Sequence, residues 1–216
     1  MNVFCDFDGT ITLEDGTDAI LQRFALPVWR EWEQLWTHGE ISSLECLSKQ
    51  VELIRADRKT LVQFAADLAI DPGILTLAHE CTDRGLPFTI VSDGLDLVVD
   101  TVLRRHNLSH IPFFANHVIW NPDGNPALEF PNAAPACESR SGTCKCSITG
   151  VAHKRGVQSV YVGDGRSDFC ISEKMDFVYA KGTLLTWCES HGIPCQPYGT
   201  LAEVAEHLFP DEILVR

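Results

Sequence analysis

Two aspartates separated by a single residue follow the first apolar segment of the chain, in the stretch MNVFCDFDGTIT. In an extended chain successive side chains alternate, so Asp6 and Asp8 would point to one side and Phe7 to the other. Two close carboxylates repel each other unless a cation holds them, and oxygen ligands of this kind suit Mg²⁺. The spacing therefore indicates a metal site, although Asp-Gly is also common in polar turns.

Two more polar clusters follow apolar segments farther along the chain. FTIVSDG contains Ser92, Asp93 and Gly94, where a hydroxyl and backbone N–H groups could hold phosphate oxygens. VYVGDGRSD contains Asp164 and Asp168, and carboxylates four residues apart can complete a metal shell or orient its waters. Together the three clusters favour phosphate and metal chemistry over a set of unrelated turns.

The elements that must position these clusters are short apolar segments with helical stretches between them. MNVFC, FTIVS and VYVGD are strand-sized, and each ends in polar residues. This alternation predicts an α/β fold with a Rossmann-like parallel sheet, whose ligands collect beyond the carboxyl ends of the strands. The polar clusters should therefore meet in space.

Residues 15–69 interrupt the alternation, because they are predicted to form consecutive amphipathic helices. The expected organisation is a catalytic core of residues 1–14 and 70–216 with a helical cap subdomain of residues 15–69. Asp71-Pro72-Gly73 marks the return to the core, since proline suits a helix start. Farther on, FFANHVIW and ALEF flank the turn NPDGNP, which predicts a β-hairpin.

Composition limits the range of partners and compartments. The 17 basic and 30 acidic residues give a net charge of -13, which disfavours nucleic acid as a partner. No apolar segment is long enough to span a membrane, and the N-terminus lacks a basic region, so we expect a cytoplasmic protein. Nine cysteines without a signal peptide favour reduced thiols or a metal over a disulfide framework. The oligomeric state is left open.

The clusters, taken in order, resemble the four motifs of the haloacid dehalogenase superfamily. The motifs are DFDGT, the serine of VSDG, a lysine, and GDGRSD. The resemblance implies that Asp6 attacks phosphorus to form an aspartyl phosphate, while Asp8 protonates the leaving oxygen and later activates water. It implies Mg²⁺ bound by Asp6, the backbone carbonyl of Asp8 and Asp164. The dehalogenase and phosphonatase branches lack an acid at the second position, so they are disfavoured.

The lysine of the third motif has two candidates. Lys145 in GTCKCSITG is expected at the beginning of a helix, near the converging strand ends. Lys154 comes nine residues later, about 14 Å along such a helix. We assign Lys145 to the phosphoryl group, whose charge must be met by positioned cations. Lys154 fits a solvated surface residue better.

Within the superfamily the chain resembles the phosphoserine phosphatase-like branch. It is most similar to methionine-salvage phosphatases that act on 2-hydroxy-3-keto-5-methylthiopentenyl phosphate. The features are DFDGTIT, FPNA after the hairpin, and the cysteine-flanked lysine of GTCKCSI. Phosphatases of phosphocholine and phosphoethanolamine share much of this pattern. The expected activity is therefore Mg²⁺-dependent hydrolysis of a small phosphorylated metabolite.

The cap is expected to exclude water and to select the leaving group. Glu14 and Arg55 are candidates for contacting it, although both also fit ordinary surface charges. A phosphotransferase or mutase, and a phosphate-binding regulatory protein without turnover, are the alternatives to a hydrolase.

Three cysteines surround the proposed lysine. Cys137, Cys144 and Cys146 could hold zinc with a fourth ligand such as His153. Free buried thiols are the alternative, because the spacing lacks a CxxC pair.

Overall fold

The computed structural model describes residues 1–153 and 156–210, and for 151–153 it describes the backbone alone. Lys154 therefore lies outside the described residues. The strands are β1 (Asn2–Cys5), β2 (Phe88–Leu95), β3 (Phe113–Trp120), β4 (Pro126–Glu129), β5 (Ser159–Gly163), β6 (Phe177–Ala180) and β7 (Cys195–Pro197). The helices are α1 (Gly16–Phe24), α2 (Trp29–Thr37), α3 (Ser43–Val51), α4 (Arg58–Ala66), α5 (Gly73–Asp83), α6 (Asp96–Arg105), α7 (Lys145–His153), α8 (Phe169–Ser172), α9 (Gly182–His191) and α10 (Leu201–Leu208).

The strands form one sheet in the order β4-β3-β2-β1-β5-β6-β7. Every neighbouring pair is parallel except β3 and β4, which form the antiparallel hairpin that the turn sequence predicts. β1 lies between β2 and β5, with Cys5 paired to both Ile90 and Val162. The carboxyl ends of these three strands therefore lie together, and the predicted α/β architecture with a parallel sheet is confirmed.

Both faces of the central strand are buried, as a parallel sheet covered by helices requires. Val3 and Cys5 pack into the large core, whereas Phe4 packs on the opposite face against Val91 and Tyr161. The period-2 alternation of β1 thus divides its side chains between two apolar layers. Both layers fix the strand that ends immediately before Asp6.

Helices α1 to α4 all lie between β1 and α5, where the sequence predicts the cap. The two chain segments that connect them to the sheet run side by side, because Thr12 and Ile70 form an antiparallel bridge. The Leu13 N–H donates to the Ala69 carbonyl at 2.9 Å, beside that bridge. The inserted helices are thus anchored at one point, next to the end of β1. Their division from the core as a separate subdomain stays a prediction.

One inserted helix is shorter than its sequence pattern suggests. α3 ends at Val51, and the chain then turns so that buried Ile54 pairs with Ala25. Arg55 therefore lies beyond the helix on which the sequence places it. Its backbone N–H donates to the Phe24 carbonyl at 2.8 Å, so pairing with the end of α1 replaces further helix.

The length and apolar character of the described helices decide whether any of them could span a membrane. Within residues 1–153 and 156–210, no helix combines the length and the apolar character that a membrane span needs.

A close helix contact holds the return from the inserted helices to the sheet. Buried Asp71 accepts hydrogen bonds from the N–H groups of Gly73 and Leu201, both at 2.8 Å. The two helix starts approach so closely that a Cβ on Gly73 would lie 2.1 Å from the backbone nitrogen of Ala202. Only glycine fits there without moving backbone.

We therefore expect Gly73→Ala to lower the free energy of unfolding by about 1–3 kcal/mol, because the clash is with backbone that cannot rotate away. Gly150→Ala is the matched control, since Gly150 is also helical and, among the described residues, nothing outside the backbone of its own helix lies within 4 Å of where its Cβ would be. The control should change stability by less than about 1 kcal/mol, and in the stabilising direction. Urea unfolding of both variants measures the difference, and equal stabilities would contradict the assigned contact.

Candidate active site

A buried ion-pair cluster lies at the carboxyl ends of the central strands. The Lys145 Nζ lies 2.6 Å from Asp6 Oδ1 and 2.6 Å from Asp168 Oδ1. The exposed fractions are 2% for Lys145, 4% for Asp6 and 0% for Asp168, so water does not screen these contacts. The structure thus places Lys145, the preferred lysine of the two candidates, beside the proposed nucleophile.

Lys145 begins α7, and two further side chains fix its ammonium. Its Nζ lies 3.1 Å from the Tyr161 hydroxyl and 3.1 Å from the Ser167 Oγ. Burial lowers the pKa of Lys145, but the carboxylates of Asp168 and Asp6 raise it by more, so the pKa stays above its ordinary value. The lysine is therefore a permanent cation beside Asp6.

Asp168 has both carboxylate oxygens occupied. Oδ1 accepts from Lys145 and from the Tyr161 hydroxyl at 2.5 Å. Oδ2 accepts from the backbone N–H groups of Asp164 and Gly165, both at 3.1 Å. Because no oxygen is left over, Asp168 is suited to orienting the lysine and the GDGRSD loop rather than to binding a metal directly.

Asp8 lies beside Asp6 on the same side of the chain, while Phe7 is fully buried on the other. Its Oδ1 accepts from the Gly16 N–H at 2.9 Å, and its Oδ2 accepts from the Ser92 hydroxyl at 3.2 Å. Burial, assisted by the charge of Asp15, raises the pKa of Asp8 to about 7. A carboxyl group with such a pKa can both give and take a proton near neutral pH.

The residues of the VSDG segment lie next to Asp6 and Asp8, but the polar groups of Ser92, Asp93 and Gly94 already have partners. The Ser92 hydroxyl accepts from the Gly94 N–H at 2.8 Å in addition to its bond to Asp8. The Asp93 carboxylate accepts from the Thr143 N–H at 2.9 Å and from the Ser43 hydroxyl at 2.7 Å. Ser92 is therefore positioned to orient Asp8, and its contact with phosphate stays a prediction.

Three carboxylates lie close together in the site, and the single positive charge of Lys145 cannot neutralise all of them. Ligand atoms of Asp6, Asp164 and Asp168 all lie within 4.8 Å of one another. Burial raises the pKa of Asp6 and of Asp164, and the charge of Asp168 raises both further. Asp164 is oriented by the Thr10 hydroxyl, which donates to its Oδ1 at 2.8 Å. Hard oxygen donors with excess negative charge fit a divalent cation such as Mg²⁺.

A cavity of about 430 Å³ opens above the cluster. Asp6, Asp8, Gly94 and Asp164 line its floor, and the inserted helices supply most of its roof. The roof side chains are acidic, polar and apolar, and they are Asp18, Glu33, Trp36, Ser43, Cys46, Leu47 and Gln50. The site is therefore a chamber between the sheet edge and the inserted helices.

The two sequence-predicted candidates for contacting the leaving group have different locations. Glu14 lines the cavity. Arg55 does not line it, and its guanidinium donates to the carbonyls of Glu52 and Ile54, both at 2.9 Å. The structure thus brings Glu14 to the site and leaves Arg55 at the surface of the inserted helices.

Arg166, whose contacts the sequence does not predict, connects the site to its roof. Its guanidinium lies 5.4 Å from the Trp36 ring and donates to the Thr37 carbonyl at 3.3 Å. The Ser43–Asp93 hydrogen bond forms a second link between the inserted helices and the core. Only its place inside the GDGRSD motif could have drawn attention to Arg166.

The cysteines near Lys145 do not form the three-thiol group that zinc would need. In the part of the chain that the structure describes, the one group of ligands close enough for a metal consists of Asp6, Asp164 and Asp168. The side chain of His153 is not among the described atoms. Cys146 instead lies 3.3 Å from Cys170, a partner distant in the sequence.

The sequence matches a protein family and several named relatives over most of its length. The sequence profile of the haloacid dehalogenase-like hydrolases matches residues 3–173. A 2-hydroxy-3-keto-5-methylthiopentenyl-1-phosphate phosphatase from Exiguobacterium sibiricum is 31% identical over 99% of this chain and 98% of its own. The protein of the same name from another Exiguobacterium strain is 29% identical, with 96% of each chain covered.

Solved structures share the fold at lower sequence identity. A phosphoserine phosphatase, solved as an analogue of its phospho-aspartyl intermediate, has a TM-score of 0.70 at 20% identity, with 95% of this chain and 97% of that one covered. A hydrolase from Salmonella enterica serovar Typhi has a TM-score of 0.73 at 20% identity, covering 98% of this chain and 71% of its own. Because the family profile spans most of the chain, including β1, β5 and the ion-pair cluster, this protein belongs to the haloacid dehalogenase-like hydrolase family.

Proposed function

We propose that this protein is a Mg²⁺-dependent phosphatase of a small phosphorylated metabolite and that Asp6 is its nucleophile. The observation that carries the proposal is the Asp6 carboxylate, buried on the cavity floor and held 2.6 Å from the Lys145 ammonium. A nucleophile in such a place needs a fixed orientation and a negative charge. The lysine fixes the carboxylate, and its charge opposes the rise in the pKa of Asp6 that burial and Asp168 cause.

In the first half-reaction an Asp6 oxygen attacks phosphorus, and the bond between phosphorus and the leaving oxygen breaks. Asp8 gives its proton to that oxygen, so that the product leaves as an alcohol. In the second half-reaction Asp8, now a carboxylate, takes a proton from water, which attacks phosphorus and releases Asp6. Lys145 remains charged throughout and stabilises the negative charge beside it.

The carboxylates of Asp6 and Asp164, with the backbone carbonyl of Asp8, would hold Mg²⁺. The ion would neutralise the charge on the phosphoryl group during transfer. Asp168 would hold Lys145 and the GDGRSD loop in position beside the ion.

Charge on the cavity wall supports a leaving group that is not an anion. Above the floor, the wall carries the carboxylates of Glu14, Asp18 and Glu33. Among the described residues that line the cavity, Arg166 is the one arginine or lysine, and it already contacts Trp36 and Thr37. An anionic leaving group that carries a carboxylate and no ammonium, such as glycolate, would meet net repulsion.

Apolar side chains of the same wall support an uncharged leaving group with an apolar part. Leu13, Trp36, Cys46 and Leu47 line the cavity beside the acids. The relatives are named for a phosphate ester whose leaving group contains a methylthio chain and no charge. We propose a substrate of this chemical class for the present chain.

Removal of Mg²⁺ tests the metal. Saturating Mg²⁺ should raise the melting temperature by about 5 °C or more, because binding to the folded state alone stabilises it. Asp164→Asn should abolish most of this rise, and Asp83→Asn, at an exposed position, should retain it. Phosphate release should stop after chelation and return with Mg²⁺. Activity that survives exhaustive chelation, or an equal rise in the Asp164 variant, would show that the metal is assigned wrongly.

Neutralising the roof acids tests the leaving-group class. Asp18→Asn combined with Glu33→Gln should raise kcat/KM for phosphoglycolate relative to an ester with an uncharged leaving group, such as glycerol phosphate, by roughly fivefold or more, because repulsion of the carboxylate is removed. Glu31→Gln, on the same helix as Glu33 and outside the cavity lining, is the matched control. Phosphate release from both substrates gives the ratio. An unchanged ratio in the double variant would refute charge selection by the roof.

A further inference from the structure

Two cysteine side chains, those of Cys146 and Cys170, lie close together near Lys145. The Sγ atoms of Cys146 and Cys170 are 3.3 Å apart, although 24 residues separate them in the sequence. Both side chains are partly exposed, and all nine cysteines of the chain are free thiols. The proposed phosphatase reaction uses neither of them.

The pair is close to the geometry of a disulfide. Bonded sulfur atoms lie about 2.05 Å apart, so the two would have to approach by only about 1.2 Å. Cys146 is the second residue of α7 and Cys170 is the second residue of α8, and these two helices are in contact. Rotation of the two side chains with a small movement of the helix starts would close the gap.

One of the two thiols is accessible from a cavity. Cys170 lines a second cavity, of about 440 Å³, together with Ser139 and Arg166. The Ser139 Oγ lies 3.4 Å from the Cys170 Sγ. Cys146 does not line this cavity, so Cys170 is the member of the pair that an oxidant would reach first.

We propose that Cys146 and Cys170 form an oxidation site at which hydrogen peroxide converts the two thiols to a disulfide that lowers phosphatase activity. The Cys170 thiolate attacks a peroxide oxygen, the O–O bond breaks, and a sulfenic acid and water result. The Cys146 sulfur then attacks the Cys170 sulfur, the S–O bond breaks, and a second water leaves. Two thiols are oxidised and one hydrogen peroxide is reduced to two waters.

The link to activity rests on the proposed function and on the position of the pair. Cys146 follows Lys145, and Cys170 is two residues after Asp168. The Lys145 ammonium lies 2.6 Å from Asp6 and from Asp168, and movement of the start of α7 towards α8 would displace it from these partners. A misplacement of about 1 Å in such a group can lower turnover by about 10²-fold.

Peptide mapping tests the oxidation site without depending on phosphatase activity. Trypsin cleaves after Lys145, Lys154, Arg166 and Lys174, so Cys146 lies in CSITGVAHK and Cys170 in SDFCISEK. Cys144 lies in a separate peptide, SGTCK. After hydrogen peroxide and alkylation of the remaining thiols, we expect CSITGVAHK and SDFCISEK as one linked species that a thiol reductant separates. Cys170 found only as a sulfinic acid, or Cys146 linked to Cys144, would overturn the proposal.

Turnover of p-nitrophenyl phosphate tests the effect on activity. Peroxide should lower kcat of the native protein by at least tenfold, and dithiothreitol should restore it. Cys146→Ser and Cys170→Ser should each keep their activity in peroxide, whereas Cys195→Ser, a partly exposed thiol on β7, should lose activity like the native protein. Unchanged turnover in the linked protein would overturn the regulatory effect. If the reduced protein releases no phosphate from any ester, the proposed function fails, and peptide mapping still decides the oxidation site.

Discussion

The ammonium of Lys145, buried between Asp6 and Asp168, is the interaction on which the rest of the site depends. Removing one partner of such a buried pair leaves an uncompensated charge and costs about 3–5 kcal/mol, so the three side chains hold one another in place. They come from the end of β1, the start of α7 and the loop after β5, which only the parallel sheet brings together. The same contacts that assemble the sheet edge therefore orient Asp6, the proposed nucleophile.

The inserted helices complete the site by enclosing it. They are rooted where Thr12 and Ile70 pair, and they are linked to the core again through Arg166 and Asp93. The floor carries the groups that would handle phosphate and metal, and the roof carries acids and apolar side chains that would meet the leaving group. In this proposal the floor of the cavity carries out the phosphate chemistry and the roof selects the leaving group. The roof residues could therefore change without a change in the catalytic residues of the floor.

Much of this arrangement follows from the sequence, because each strand that carries a proposed site residue ends in a polar cluster. Asp6, Asp164 and Lys145 could be placed by that rule and by the family motifs. The rule says nothing about Tyr161, which reaches Lys145 from inside β5, or about Cys170, whose partner is set by how α7 packs on α8. β6 and β7 span only four and three residues, too short for a clear pattern. The helix predicted to carry Arg55 ends before it, because Ile54 pairs with Ala25.

Chemical trapping of the phosphorylated protein tests the central claim most directly. During turnover of a reactive phosphate ester, acid quenching followed by borohydride should reduce an acyl phosphate to the alcohol, giving homoserine at position 6 in the N-terminal peptide. Asp6→Asn should give no homoserine there, and Asp8→Asn should still give it with a reactive ester, because such a leaving group needs no proton from Asp8. Homoserine at the position of another aspartate, or no homoserine in a protein that is hydrolysing the ester, would contradict the assignment of Asp6 as the nucleophile.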